Sequence, residues 1–301
     1  MTGMISVEHL TKRYGRHAAV DDVSFRCEPG TVTGFLGPNG AGKSTTMRMI
    51  CGLTPPSGGG ATVGGRRYRD LPNPGREIGV LLDASAQHAG RTGREALTVA
   101  AETMGVDRRQ VTSKLDLVGL NEVAAKRRVR AYSLGMRQRL GLALALLGDP
   151  RVLILDEPAN GLDPEGIFWM RGLLRDFADR GGTVLLSSHL LREVEAVADR
   201  LVVIGGGRIV AQGDKDELLA GGGTLVRARN AAALRGALDR AGLAVTEGTD
   251  GLLVRADADT VGQAAADAGV ALTELRPAGS AGLEQLFLTL TAGASTREAV
   301  R

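Results

Sequence analysis

Aromatic residues are scarce in this 301-residue chain, which has one tryptophan (Trp169), three tyrosines and five phenylalanines. Small aliphatic side chains must therefore fill whatever core it builds. Cysteine is nearly missing too. Cys27 and Cys51 lie in apolar surroundings without metal-ligand spacing, which reads as two buried, inert thiols and points to no oxidising compartment. Long apolar runs are lacking. Residues 140–148 form an apolar stretch stopped by Arg139 and Asp149, far short of the ~20 residues a membrane-spanning helix requires. A strong excess of one charge is also absent. The formal net charge of +3 is too small to argue for nucleic acid as a partner. The opening Met1-Thr2-Gly3-Met4-Ile5 has neither the basic nor the apolar region of a secretory signal. The expectation is a cytoplasmic chain that meets a membrane only where a partner holds it there.

Glycine, at 43 residues, is plentiful. The length suggests about two domains. Over the first 220 or so residues, short apolar runs alternate with helical patterns. Residues 32–36, 152–155, 184–187 and 201–204 are branched and nearly free of charge, as strands covered on both faces of a parallel sheet are. Residues 5–10, 18–26 and 61–63 alternate more and predict a smaller antiparallel layer. Residues 84–148 are mostly helical in pattern and read as an inserted helical subdomain. Composition shifts after Gly221-Gly222-Gly223, a candidate linker. Beyond it, residues 225–228, 244–247 and 252–255 read as strands, and 231–241, 258–268 and 282–290 as helices. That predicts a small α+β accessory domain in a β-α-β-β-α-like order.

Two segments carry chemistry on their own. Gly37-Pro38-Asn39-Gly40-Ala41-Gly42-Lys43-Ser44 fits G-x-x-x-x-G-K-[ST] at every defining position, followed by Thr45. It comes after an apolar strand and opens a helical pattern, the context that gives the motif its meaning. Its glycines let backbone N–H groups turn toward phosphate oxygens, and the helix start adds positive potential. Lys43 neutralises phosphate charge, and the Ser44 hydroxyl can hold Mg2+. Leu153-Ile154-Leu155-Asp156-Glu157 then delivers two acids at the end of an apolar strand, where ligands sit in parallel sheets. Asp156 suits Mg2+ and Glu157 suits polarisation of an attacking water.

The stretch Tyr132-Ser133-Leu134-Gly135-Met136-Arg137-Gln138-Arg139, close ahead of those acids, narrows the reading. It resembles the signature loop of ABC-type ATPases. The resemblance covers roughly residues 4–223 and leaves 224–301 as the accessory domain. It implies a phosphate-loop NTPase fold with a parallel sheet core, an antiparallel β subdomain and a helical subdomain, and ATP hydrolysis with Mg2+. Ser133 and Gly135 match the signature positions that contact ATP bound to a second copy, while Leu134 and Met136 replace the usual glycine and glutamine. Ser133 also suits the N-cap of the helix that follows. Tyr14, in Lys12-Arg13-Tyr14-Gly15, stands where the family stacks an aromatic on adenine; spacing alone equally allows a strand-edge aromatic. Gly161-Leu162-Asp163 matches the loop that crosses the dimer seam. His189 matches the switch histidine that reaches the γ-phosphate. One landmark departs. Where the family usually has a glutamine, Ile78-Gly79-Val80-Leu81-Leu82 is followed by Asp83. Asp83 is taken to occupy that position, and Gln87 is the alternative if the loop is shifted.

The cassette is single, and the chain has no cysteine clusters or sustained heptads. The closing Gly282-Leu283-Glu284-Gln285-Leu286-Phe287-Leu288 resembles the ends of daunorubicin-type drug and antibiotic exporter subunits. That likeness implies two copies, most simply a homodimer, closing around ATP. It also implies a separate integral-membrane permease that holds the pair on the inner face of the cell membrane. A soluble ABC-type ATPase acting on DNA or ribosomes is the alternative, and an importer subunit a third. The basic residues Lys126, Arg127, Arg128, Arg130, Arg137 and Arg139 have only Tyr132 interleaved. They read as a solvated face beside a phosphate site rather than a nucleic-acid platform.

Overall fold

A computed structural model describes residues 3–188, 191–220, 223–248 and 251–277. In chain order these carry β1 (Ile5–Tyr14), β2 (His17–Cys27), β3 (Val32–Leu36), α1 (Lys43–Ile50), β4 (Gly58–Val63), α2 (Pro74–Glu77), β5 (Ile78–Leu81), α3 (Gly93–Met104), α4 (Arg109–Leu117), α5 (Glu122–Lys126) and α6 (Leu134–Leu146). There follow β6 (Val152–Asp156), α7 (Pro164–Asp179), β7 (Thr183–Ser187), α8 (Leu191–Val197), β8 (Arg200–Gly205), β9 (Arg208–Asp214) and α9 (Lys215–Ala220). The last elements are β10 (Thr224–Ala228), α10 (Ala231–Arg240), β11 (Val245–Gly248), β12 (Gly251–Val254), α11 (Ala258–Asp267) and β13 (Leu272–Pro277). The chain divides after Gln212 into two compact units.

The first unit is built on a six-stranded sheet ordered β5-β6-β7-β3-β8-β9. Strands β5, β6, β7, β3 and β8 pair in parallel. Every residue of β3 and β7 is buried, which is why these strands are apolar on both faces rather than alternating. The register sets Phe35 and Asp156 on either side of Ser187. The C-terminal ends of β3, β6 and β7 thus meet at one edge of the sheet, the edge at which such sheets bind ligands.

A second, three-stranded antiparallel sheet, β2-β1-β4, packs against it. Val7 and Leu10 of β1, Val23 and Phe25 of β2, Phe35 of β3, Met47 and Ile50 of α1, and Ile154 of β6 share one core cluster. Phe25 and Phe35 stack with ring centroids 5.3 Å apart. The strands β1 and β2 run longer than the alternation predicts, because register shifts between Val7 and Leu10 and again on either side of Lys12 reset the period.

Between β5 and β6 the chain makes α3, α4, α5 and α6, the helical insertion expected over 84–148. Helix α3 opens with a capping box in which Thr92 and Glu95 each take the other's backbone N–H, satisfying two orphan donors at once. In α6, Leu140, Gly141, Leu142, Ala143, Ala145 and Leu146 are all buried, as in a helix covered nearly all round. It lies hard against β5. A Cβ on Gly79 would stand 2.1 Å from the Ala145 carbonyl oxygen, and one on Gly141 2.5 Å from Leu81.

The second unit holds a four-stranded antiparallel sheet ordered β11-β12-β10-β13, with the βαββαβ succession of split β-α-β folds. Val226, Leu234, Leu238, Leu252, Val254 and Val261 form its core. The sequence reading missed β13, whose Thr273, Glu274 and Arg276 interrupt the apolar pattern; Glu274 and Arg276 form an ion pair within the strand. The helix expected over 282–290 lies outside the described residues. Among the described residues, no helix is long and apolar enough to cross a membrane.

Candidate functional site

The loop from Gly37 to Gly42 joins the buried strand β3 to α1, and its glycines have steric reasons. A Cβ on Gly37 would stand 2.5 Å from the Ile204 carbonyl oxygen, and one on Gly42 2.5 Å from that of Ala19. Gly42 is also left-handed, at φ 107°, and caps α1 without a side chain. Gly40, at φ 81°, has open space where a Cβ would point. Ala41 donates its N–H to the Pro38 carbonyl at 3.1 Å, closing the turn that exposes Pro38, Asn39 and Gly40. Lys43 is buried, and its Nζ donates to the carbonyls of Gly37 (2.6 Å) and Pro38 (3.3 Å). Burial lowers the pKa of this ammonium, and the carboxylates of Glu157 and Asp156 work against that shift. The same electrostatics place both acids within the field of the loop. Ser44 is exposed and Thr45 half-buried in the first turn of α1.

At the end of β6, Asp156 accepts a short hydrogen bond from Ser187 Oγ. Glu157 follows with φ 52°, a left-handed conformation that is costly for a side-chain-bearing residue. Three contacts hold it there. Its N–H is shared between the Ser187 carbonyl and Ser187 Oγ, both at 3.1 Å. Its carbonyl accepts from Gln138 Nε2 at 3.0 Å.

A second group of predicted residues surrounds the start of α6. Ser133 is its N-cap and accepts from the Met136 N–H at 3.2 Å. A Cβ on Gly135 would stand 2.5 Å from the Gly161 carbonyl oxygen, so signature glycine and seam loop are in close backbone contact. Leu134 beside it is half exposed at 53%. Asp163 caps α7 by accepting from the Gly166 N–H at 2.9 Å. Arg139 stacks over Trp169 at 5.0 Å, donates to the Val118 carbonyl at 2.9 Å and lies 3.9 Å from Asp163.

Tyr14 and Asp83 belong to other segments. Tyr14 ends β1 with 54% of its surface exposed, and the Lys12 ammonium sits 5.0 Å above its ring. Asp83 turns back on its own loop, accepting from the Ser85 N–H (2.7 Å) and Ser85 Oγ (2.6 Å). Those bonds hold its carboxyl below the usual range. Asp83 and Gln87 line the same depression, about 400 Å³, together with Arg48, Leu82 and Gly141. The Gln87 Oε1 atom is buried there without a hydrogen-bond partner. His189 lies outside the described residues. Three residues of the basic run, Lys126, Arg127 and Arg128, are exposed yet bonded to groups nearby. Lys126 pairs with Glu122, Arg127 donates to the Ala131 carbonyl and Arg128 to that of Gly90.

Motif reading gave no separate role to two residues that matter here, Ser187 and Gln138. Ser187 was read only as the end of a buried strand. Gln138 stands in the signature stretch, but its bond to Glu157 gave no signal, because that partner lies 19 residues away and belongs to another element.

The sequence model of the ABC transporter family matches residues 20–160. The bacitracin transport ATP-binding protein BcrA of Bacillus licheniformis is 39% identical over 221 residues, 72% of each chain. The chain belongs to the ABC transporter family, as an ATP-binding protein. The lantibiotic transport ATP-binding protein SrtF of Streptococcus pyogenes is 37% identical over 215 residues, 71% of this chain and 92% of that one. A solved ATP-binding subunit of an ABC transporter superposes with a TM-score of 0.66 at 30% identity, covering 71% of this chain and 91% of the other. Residues 222–284 match a domain of unknown function.

As a member of this family the chain is an ATPase, and the geometry suits ATP. The loop turns its backbone around an open face at Gly40 and keeps a buried ammonium at its base. No group of three or more His, Cys, Asp or Glu able to hold a metal occurs among the described residues. Mg2+ usually binds through one or two protein oxygens plus substrate phosphates and water. Ser44 and Asp156 are the residues available for it.

Proposed function

We propose that this chain is the ATP-hydrolysing subunit of an exporter for antibiotics or related amphiphiles. It drives a separate integral-membrane permease and sits on the inner face of the cell membrane through that partner. The observation that carries this reading is the 39% and 37% identity, across the whole cassette, to proteins named for bacitracin and lantibiotic transport. The same two relatives, named for transport, disfavour a soluble ATPase acting on DNA or ribosomes.

In this reading the backbone of 37–42, with Lys43, Ser44 and Thr45, binds the phosphates, and Tyr14 stacks on the adenine. Ser44 and Asp156 hold Mg2+, which when bound neutralises charge on the transferring phosphoryl group. Glu157 takes a proton from the attacking water, with His189 at the γ-phosphate. Ser133, Gly135 and Asp163 act across a homodimer seam on ATP held by the other copy. Asp83 stands at the turn facing the permease. We assign residues 4–223 to the ATP-binding domain and 224–301 to an accessory domain that supports the dimer or regulates it.

The test is purification of the complex from membranes of the source cell. A co-purifying multi-span permease that raises ATP hydrolysis is the expected result. A soluble pool bound to nucleic acid or ribosomes would sink the export reading.

A further inference from the structure

The backbone of Glu157 is held on both sides, and by different elements. The strand β7 takes its N–H through Ser187. The carbonyl is taken by Gln138, in the second turn of α6, whose side chain is 3% exposed. A buried amide side chain is nearly always committed to a partner, and this one is spent on the carbonyl of a non-glycine residue at φ 52°. Such conformations persist where surrounding structure over-determines them. Direction matters as well. The carboxylate of Glu157 leaves the same α-carbon whose carbonyl Gln138 fixes, so a swing of that peptide re-aims the acid. Gln138 also stands one turn after Gly135, on the helix that begins at Ser133. The start of α6 and the aim of Glu157 therefore share one rigid connection.

We propose that Gln138 is a positioning residue. Its side-chain amide sets the backbone of Glu157 and so couples the aim of the general base to the position of α6. The inference rests on Glu157 being that base.

The test is a double-mutant cycle on the full chain, using Gln138→Met, Glu157→Gln and both together. It reads kcat, KM for ATP, binding of a fluorescent ATP analogue, and thermal midpoint. Gln138→Met, near-equal in length and unable to donate, is expected to lower kcat about 10- to 100-fold. ATP affinity should stay within about threefold, the pattern of an interaction felt only in the transition state. In the Glu157→Gln background the same change should cost nothing further, because the group it aims has lost its chemistry. Wild-type kcat in Gln138→Met overturns the proposal. So does an equal loss in the Glu157→Gln background, or a fall in ATP affinity as large as the fall in turnover, since both mark a merely structural role. Undiminished turnover in Glu157→Gln alone is a different failure, which removes the base and this proposal with it. If Gln138→Met does not fold, Gln138→Glu takes its place on the same outcomes, being equal in size and unable to donate when ionised.

Discussion

Two kinds of buried side chain show how one physical term, burial, serves opposite ends. Lys43 is buried against its own loop, and its charge is kept by two nearby acids. Replacing it by methionine keeps the volume and removes the charge that the proposed site offers to the phosphates. Lys43→Met is therefore expected to lose ATP binding outright while melting within a few degrees of wild type, as read by a fluorescent ATP analogue and by calorimetry. Cys27 and Cys51 are buried too, and burial pushes both thiols up to about 12, outweighing Thr33 and Arg200 beside Cys27. They should resist alkylation in the native protein and react only after unfolding. The pH consequence follows from linkage. The folded pKa of each thiol is raised, so its contribution to stability is complete below the unfolded value near 9 and is lost as pH rises toward 12. Between pH 8 and pH 10 the unfolding free energy should fall by roughly 3 kcal/mol more than in a Cys27→Ala/Cys51→Ala variant, measured by urea titration. Equal falls in the two proteins would count against the assignment.

At the scale of elements, close backbone approach decides more than side-chain chemistry. Helix α6 meets the loop at Gly161 through Gly135, where a methyl group would stand 2.5 Å from a carbonyl oxygen. Neither backbone segment can yield cheaply. Gly135→Ala should push the start of α6 away from that loop and cut turnover at least tenfold, with ATP binding at residues 37–45 kept; loss of binding would contradict it. Asp163→Ala removes the cap of α7 and should cost about 1 kcal/mol of stability, readable in urea. The same scale explains what the sequence disclosed. The strands β3, β6 and β7 were legible because burial on both faces leaves uninterrupted branched residues. The placement of 37–42 between β3 and α1, and of Asp156 and Glu157 at the end of β6, was legible because the motifs carry their flanking elements with them. Strand β13 was hidden because Glu274 and Arg276 pair with each other, so its charged residues look like loop. The bond of Gln138 to Glu157 was hidden for a deeper reason, although the residue itself stands in the signature stretch. A hydrogen bond from a helix to a strand end 19 residues later leaves no local pattern, and only the tertiary fold brings the two together. The turn at Asp83 falls between these cases, since the departure from glutamine was visible but its bonds to Ser85 were not.

At the scale of the whole molecule, a site divided between two copies makes a prediction that no single-copy site can share. If the phosphate loop of one copy works with the signature residues Ser133 and Gly135 of the other, each of two broken chains lacks a different half. Lys43→Met has a dead loop and a sound signature. Gly135→Ala has a sound loop and a dead signature. Neither homodimer holds one complete site. Mixed, half of the random dimers are hybrids, and each hybrid places the sound loop of one chain against the sound signature of the other while its second site is doubly broken. An equimolar mixture of two inactive preparations should therefore recover about a quarter of wild-type turnover, since half the dimers carry half the sites. Recovery should rise with total concentration as hybrids form and vanish when either protein is diluted alone. If the signature instead served the loop of its own chain, both defects would stay with their owners and mixing would restore nothing. An inactive mixture, with hybrid dimers demonstrated by differential tagging, would end the shared-site reading and leave the ATP chemistry of the single chain standing.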